Sequence, residues 1–383
     1  MNPTRERLFE VLRLTTDLVP YGPGFNTTDE LEAGAERFIE RTGPYDFVVT
    51  DEYVLQEFDL TQPEKIRFVN HACYFDPTLL RVALAWRAFF EHYEGVRVIT
   101  LLQSDFYNFT ATHIERLLAM GDYFVAWGPE LMTEKTQALP RQPIENGIDE
   151  AIVEKWSDNY LQFAKTHRNR LIVCPHFVGE REFCDKPLQH RRREWSVLGA
   201  GYDARVLVRA AFDRAGVRWA GDGFRFIHEI SQRLSLNLYA HVWSIDLLQY
   251  LARSVLRNTK HSYTCGSVLA WPIRKFFEIP AAGCVLVCAP PVGFSALGFV
   301  DRDSALLSRP EDVMDAMTWL ADRPEEAQSI ANRGRELVRL RHSVTARANQ
   351  IGEAFRRIVS GQFFGSQWSA GEFQFLPPRK STQ

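Results

Sequence analysis

The sequence predicts an α/β protein of two Rossmann-like halves, each a mainly parallel sheet layered with helices, with the two sheets facing across a cleft. Three observations predict it. Apolar runs of strand length alternate with longer segments of helical period along the chain. At 383 residues the chain is long enough for two domains of ordinary size. Short glycine-bearing or polar loops follow strands in both halves, and open α/β sheets bind ligands at their carboxyl ends.

Composition narrows the field. The apolar fraction of 45% and charged fraction of 24% are those of a soluble globular protein. A formal net charge of −3 gives no electrostatic reason to expect nucleic acid as a partner. Charges run through the apolar part of the amino-terminal segment, so no signal peptide is expected, and no apolar run is long enough to span a membrane. The six cysteines show neither Cys-x-x-Cys nor paired metal spacing. They are expected to be reduced, mostly buried thiols of a cytoplasmic protein, with no metal and no cofactor.

In the first half, helices are expected over Glu6–Asp17 and Asp29–Arg41, then strands at 45–55, 66–72, 96–103 and 123–128. Helices Pro77–Tyr93 and Thr112–Met120 fall between them. His71 and Asp105 each directly follow a strand, so they can share one cleft, where they suit the polarising or deprotonation of a hydroxyl. Equally, Asp105 can cap the next segment and His71 can be a structural histidine. A helix over Asp149–Lys165 and a strand within 170–183 lead to a domain boundary near Lys186, giving domains 1–185 and 186–358 and a tail 359–383.

The second half opens on a strand through Ser196–Leu198, the turn Gly199-Ala-Gly201-Tyr202-Asp-Ala204, and a helix Ala204–Ala215. The turn reads Gly-x-Gly-x-x-Ala with Asp222 about twenty residues on, so an NAD(P)-dependent oxidoreductase stays open. Against it, such a fingerprint normally opens its own domain near a chain start. In the helix 244–260, Leu247, Leu248, Leu251, Val255 and Leu256 keep core spacing, and Arg253, Arg257 and Lys260 read as a solvated face.

The stretch Tyr263–Phe299 organises this half. It reads as a strand ending in Cys265-Gly266-Ser267, a helix with Pro272 in its first turn and Gly283 just past its end, a buried strand 284–289, and a loop carrying Gly293, Phe294 and Ser295. Arg274 and Glu278 share a helix face, with Lys275 beside them. A carboxylate there can accept two hydrogen bonds from vicinal hydroxyls while the cations and backbone N–H groups hold phosphate. The plainer alternative is an exposed i,i+4 salt bridge. Helices follow over Glu311–Ala321 and Pro324–His342. Arg333, Arg335, Arg339, Arg341 and Arg347 are expected on solvated faces, and the tail is aromatic and rich in Gly and Ser.

The run Arg274-Lys-Phe-Phe-Glu278-Ile-Pro-Ala-Ala-Gly283-Cys-Val-Leu-Val287, the glycine loop after it and the helical run Ser308–Val338 resemble the donor half of GT-B glycosyltransferases of the "group 1", family 4-like type. Those enzymes act on bacterial surface polysaccharides and spore coats. The resemblance covers about Arg193 to Ile358, and it implies that the tail 359–383 crosses back to the first half, contact with a membrane surface being the equal alternative. It implies a nucleotide-sugar donor and a glycan or lipid-linked oligosaccharide acceptor, with retaining, metal-independent transfer.

The resemblance puts Glu278 on the donor ribose and Arg274 and Lys275 on the leaving diphosphate. It puts Gly199, Gly201, Tyr202, Arg205, Gly266, Ser267, Gly293, Phe294 and Ser295 around the donor. His71 and Asp105 then serve catalysis from the acceptor side, where Tyr74, Tyr107, Asn108 and His176 bind the acceptor. Two departures stand out: Gly179 replaces the usual Asp of the hinge-side loop, and the 293–296 loop lacks the usual acidic residue. A non-catalytic partner subunit therefore stays open. Peripheral association with the inner face of a membrane is the accompanying expectation.

Overall fold

The computed structural model describes residues 3–55, 60–61, 77–101, 109–132, 150–199, 203–221, 227, 230, 242–266 and 270–378. The chain opens with α1 (Pro3–Thr15), α2 (Thr28–Ala33) and α3 (Ala35–Thr42); the single helix expected over Asp29–Arg41 is broken at Gly34. Thr27 starts α2 by accepting the Glu30 N–H, and the Glu30 carboxylate accepts the Thr27 N–H in return.

The first sheet follows. Its strands are β1 (Phe47–Asp51), β2 (Val96–Thr100), β3 (Tyr123–Ala126) and β4 (Leu171–Val173), all parallel and in sequence order across the sheet. Between them run α4 (Glu52–Leu55), α5 (Pro77–His92), α6 (Ala111–Met120) and α7 (Glu150–Thr166). The strand expected at 66–72 lies outside the described residues.

The second sheet is also parallel, in the order β6-β5-β7-β8-β9. It comprises β5 (Arg193–Ser196), β6 (Trp219–Ala220), β7 (Thr259–Thr264), β8 (Val285–Cys288) and β9 (Leu306–Leu307). Its helices are α8 (Asp203–Arg214), α9 (Val242–Arg257), α10 (Lys275–Ala281), α11 (Val313–Asp322) and α12 (Pro324–Arg341). Two parallel sheets with helices on their faces make the expected two-sheet α/β architecture.

Strand alternation distributes the core. In the first sheet Val98, Val125 and Ile172 point to one face, under α1; Ile99, Phe124, Leu171 and Val173 point to the other. In the second, Tyr263, Val285 and Val287 pack under α8, α11 and α12, while Leu286 and Cys288 join a core that continues into the first half through Trp271 and Trp127. Five cysteines are free, Cys174, Cys265, Cys284 and Cys288 being buried and Cys184 half-buried; Cys73 lies outside the described residues.

Three corrections concern the organising stretch and the helix before it. Pro272 is not in the first helical turn, because α10 begins three residues later. The Trp271 N–H donates to the Gly266 carbonyl at 2.7 Å and the Ile273 N–H to the Trp271 carbonyl, so this segment is spent on a tight turn. A Cβ on Gly266 would lie 2.6 Å from the Ala270 backbone, which is why glycine stands there. Leu247 is 48% exposed rather than core, and Arg253 faces a cleft beside Glu278 rather than bulk solvent.

The end of α10 follows expectation. Gly283 has φ +70°, and a Cβ there would meet the Arg191 guanidinium and the Cys184 carbonyl. Buried Arg191 donates to the carbonyls of Leu256, Thr259 and Ala282, so one guanidinium serves the carboxyl ends of α9 and α10.

Beyond the last helix expected, which ends at His342, a further one, α13 (Val344–Val359), follows, then an antiparallel hairpin of β10 (Ser366–Ser369) and β11 (Glu372–Phe375). Ser343 caps α13 by accepting the Ala346 N–H. Val344, Ala348, Ile351, Ala354, Phe355 and Ile358 form its apolar stripe, which packs with α1 over the first sheet. Thus α13 lies in the first half although its sequence follows the second. The chain leaves the first half past Val178 and returns through His342–Val344. These two crossings are hydrogen-bonded to each other, Val178 N–H to His342 carbonyl at 3.0 Å and Val344 N–H to Val178 carbonyl at 2.8 Å.

Arg347 is not on a solvated face as expected; it is 1% exposed, between the rings of Phe177 and Trp368. It faces Nδ1 of His342 at 3.4 Å, while Nε2 of His342 lies 2.9 Å from the Leu297 carbonyl. These partners assign the neutral imidazole with the proton on Nε2. The ring stacks on Trp368 at 4.8 Å, and Trp368 donates from Nε1 to the Val173 carbonyl, which docks the hairpin against β4.

Two expected outcomes follow from this packing. Burial, joined by the neighbouring cations, pushes His261 and His342 down to about 3. The unfolded chain then binds more protons than the folded one between about pH 3 and pH 6.5, so stability is lost as pH falls through that window. The two residues together should give up to about 3 kcal/mol per pH unit. Urea midpoints between pH 7 and pH 5 should fall accordingly, and His342→Gln, although less stable at pH 7, should flatten the slope. Trp368→Ala should cost about 3–5 kcal/mol in denaturant unfolding, a cost that a merely solvated tail residue would not show.

Candidate functional site

The carboxyl ends of the two sheets meet. Trp127 follows β3 and its ring centroid lies 5.4 Å from that of Trp271, which follows β7. His176 follows β4 and packs edge-on against Trp127 at 5.0 Å. Gly293, in the loop after β8, abuts Leu131 and the Glu130 carbonyl in the turn after β3.

Beside this junction lies Glu278, on the first turn of α10 and 8% exposed. Its Oε1 takes the Arg274 Nε at 2.6 Å and an Arg7 nitrogen at 3.3 Å; its Oε2 takes the Lys275 Nζ at 2.7 Å. The i,i+4 pair of the plainer reading is therefore present, but buried and enlarged to three cations. Burial alone would raise the Glu278 pKa; Arg274, Lys275 and Arg7 instead hold it well below the usual carboxylate range. Burial lowers the Lys275 ammonium even against the pull of Glu278. Half-buried His176, in a densely packed surrounding, is lowered to about 3 by desolvation and by Arg274 and Arg7. It is a neutral imidazole at physiological pH.

The cleft here is lined by Arg7, Arg253, Arg274 and Lys275 against Glu182 and Glu278, with Gln249 and Leu256 from α9. Four cations facing two carboxylates leave a positive surplus suited to an anionic ligand. Arg274 spends only its Nε on Glu278, and no bond of its two Nη groups occurs among the described residues. Its side chain is 32% exposed, so those donors face the cleft. Arg7 and Glu182 were missed in the sequence: Arg7 lies 271 residues from Glu278, and no local pattern marks it.

The other expected donor residues are placed as follows. Arg205 is 1% exposed and donates to Thr264 Oγ1 at the end of β7, and a Cβ on Gly199, whose φ is +109°, would meet its guanidinium. It is thus a buried cation below the turn, close enough to Lys275 to lower that ammonium further. Phe294 is core, against Phe276 and Phe299, while Ser295 is exposed. His71, Asp105, Tyr74, Tyr107, Asn108, Gly201, Tyr202, Ser267 and Asp222 lie outside the described residues. Among the described residues no group of three or more metal-ligating side chains occurs, and no helix is long and apolar enough to cross a membrane.

Comparisons with known proteins bear on this half. Residues 191–353 match the family described as "Glycosyl transferase-like", a span that holds the Gly199 turn, Glu278 and its two local cations. Among curated proteins none matches significantly. Solved structures similar to the chain include sucrose-phosphate synthase from Thermosynechococcus elongatus, with 14% identity, 89% of this chain and 82% of that one covered, and a TM-score of 0.46. Another is HepE from Anabaena in complex with UDP-glucose, with 11% identity, 84% and 81% covered, and a TM-score of 0.46. These two likenesses are too distant to carry the assignment, which rests on the family match. The family match thus lies within the second half of the chain and takes in the helix that carries Glu278.

Proposed function

We propose that the protein moves a sugar from a nucleotide-sugar donor to a glycan or lipid-linked glycan acceptor, in retaining, metal-independent fashion, as in bacterial surface polysaccharide synthesis. The observation that carries the reading is the buried Glu278 within Arg274, Lys275 and Arg7 at the junction of the two carboxyl ends, inside the matched domain. In this reading Glu278 accepts hydrogen bonds from the vicinal hydroxyls of the donor ribose, and its low pKa keeps it an acceptor at every physiological pH.

The anomeric carbon–oxygen bond to the diphosphate breaks as the acceptor oxygen bonds to the same face of that carbon, which keeps the configuration, and the acceptor proton passes to His71 or Asp105. Negative charge grows on the leaving diphosphate, where Arg274 and Lys275 stabilise it; donors fixed in place act most strongly on charge that develops in the transition state. His71 and Asp105 are the proposed acceptor-side groups. His176, neutral and beside Trp127, is proposed to hydrogen-bond an acceptor hydroxyl. Peripheral association with a membrane face accompanies a lipid-linked acceptor.

A thermal-shift panel of UDP, GDP, CMP and NADH tests the class. Stabilisation by one of the first three is expected; stabilisation by NADH alone would sink the transferase reading. Glu278→Gln should weaken binding of the preferred nucleotide by about 1.5–3 kcal/mol. Normal nucleotide affinity with an early-melting variant would return Glu278 to a structural salt-bridge role. Arg274→Ala or Lys275→Ala should reduce turnover more than binding of the phosphate-free nucleoside.

A further inference from the structure

Arg7 gives the Glu278 site a component that the matched domain does not contain. It reaches in from α1, 6% exposed, and divides its donors among three acceptors. Nη1 donates to the Phe177 carbonyl at 2.8 Å, and Nη2 bridges Glu182 Oε1 at 2.5 Å and Glu278 Oε1 at 3.3 Å. Glu182 is itself fixed by the Gly179 N–H at 2.8 Å. The Glu278 contact is the longest of the set, and Arg7 would keep two good partners without it.

A carboxylate oxygen accepts about two hydrogen bonds in its plane. Two nitrogens already crowd Oε1 of Glu278, Arg274 Nε as an ion pair at 2.6 Å and Arg7 Nη2 as a hydrogen-bond donor at 3.3 Å, whereas Oε2 takes one hydrogen bond, from Lys275. A vicinal diol needs one acceptor position on each oxygen. Oε2 has a position to give; Oε1 does not until one donor leaves. Arg274 sits at 2.6 Å with the orientation of a helix neighbour, so the donor that leaves is Arg7.

We propose that Arg7 is a placeholder on Glu278: it occupies the acceptor position that a ribose hydroxyl of the donor takes, and donor binding drives it wholly onto Glu182 and the Phe177 carbonyl. This rests on the reading of Glu278 as the ribose acceptor. The exchange has a function beyond the site. Phe177, Gly179 and Glu182 lie where the chain leaves the first half, so arrival of the donor in the second half changes the bonding of α1 and of this crossing. Arg7 is thus a positioning residue that reports donor occupancy to the first half.

The test compares affinity for the best nucleotide of the panel with affinity for its 2′,3′-dideoxy counterpart, by calorimetry on the full chain. Wild type discriminates modestly, because each diol that binds must first displace Arg7. The double variant Arg7→Met/Glu182→Gln removes the placeholder and its partner charge together. Its discrimination for the diol should rise about fivefold, the worth of one ordinary hydrogen bond no longer displaced. If that variant does not fold, Arg7→Lys serves, since a single ammonium held by Glu182 releases Glu278 as well, and the same rise is expected.

Unchanged or reduced discrimination in the folded variant would overturn the placeholder role. Glu278→Gln separates this failure from that of the underlying reading. If it abolishes discrimination while the Arg7 variants leave it unchanged, Glu278 binds ribose and only the placeholder is wrong. If Glu278→Gln leaves discrimination intact, or no nucleotide binds wild type, the ribose role of Glu278 falls and the placeholder with it.

Discussion

A carboxylate taken out of water must be neutralised, and the Glu278 carboxylate draws its neutralising charge from both ends of the chain's fold. Arg274 and Lys275 are supplied by its own helix, and Arg7 by the first helix of the other half. Breaking a buried cluster of this kind by removing one member is far more costly than an exposed pair would suggest. The geometry of α10, the tight turn at Gly266 before it and the left-handed Gly283 after it all serve to present this one side chain at the junction.

The junction has a second tie of different chemistry. His342, Arg347 and Trp368 form a stack in which a neutral imidazole, a guanidinium with no carboxylate partner among the described residues and an indole share their faces. Charge here is dispersed over π-systems rather than cancelled by an opposite charge, and burial brings Arg347 down to about 10. The tail's aromatic residues are therefore structural, closing the face of β4 through Ser366 and Trp368.

Much of this was legible in the sequence, and the reasons are specific. The strands at 96–100, 123–126 and 285–288 announced themselves as apolar runs, and Gly283 marked a helix end because glycine alone fits a left-handed residue against Arg191 and Cys184. Glu278 was found because its cations lie three and four residues away. Arg7 was not, because its contact is made by tertiary packing. Arg347 was misread since an arginine is ordinarily solvated, while its neighbours in space here are rings. The helix α13 had both its Ser343 cap and its apolar stripe in plain view; reading the helices as ending at His342 obscured it.

The pairing of the two crossings, at Val178 and at His342–Val344, ties the halves together at one place. A chain that passed once between two bodies would leave them free to twist, swing and slide. Two passages laced together by a pair of backbone hydrogen bonds form one short axle, with α1 and α13 bearing on each other beside it. Sliding one passage past the other would break both bonds, so the two passages hold their register together.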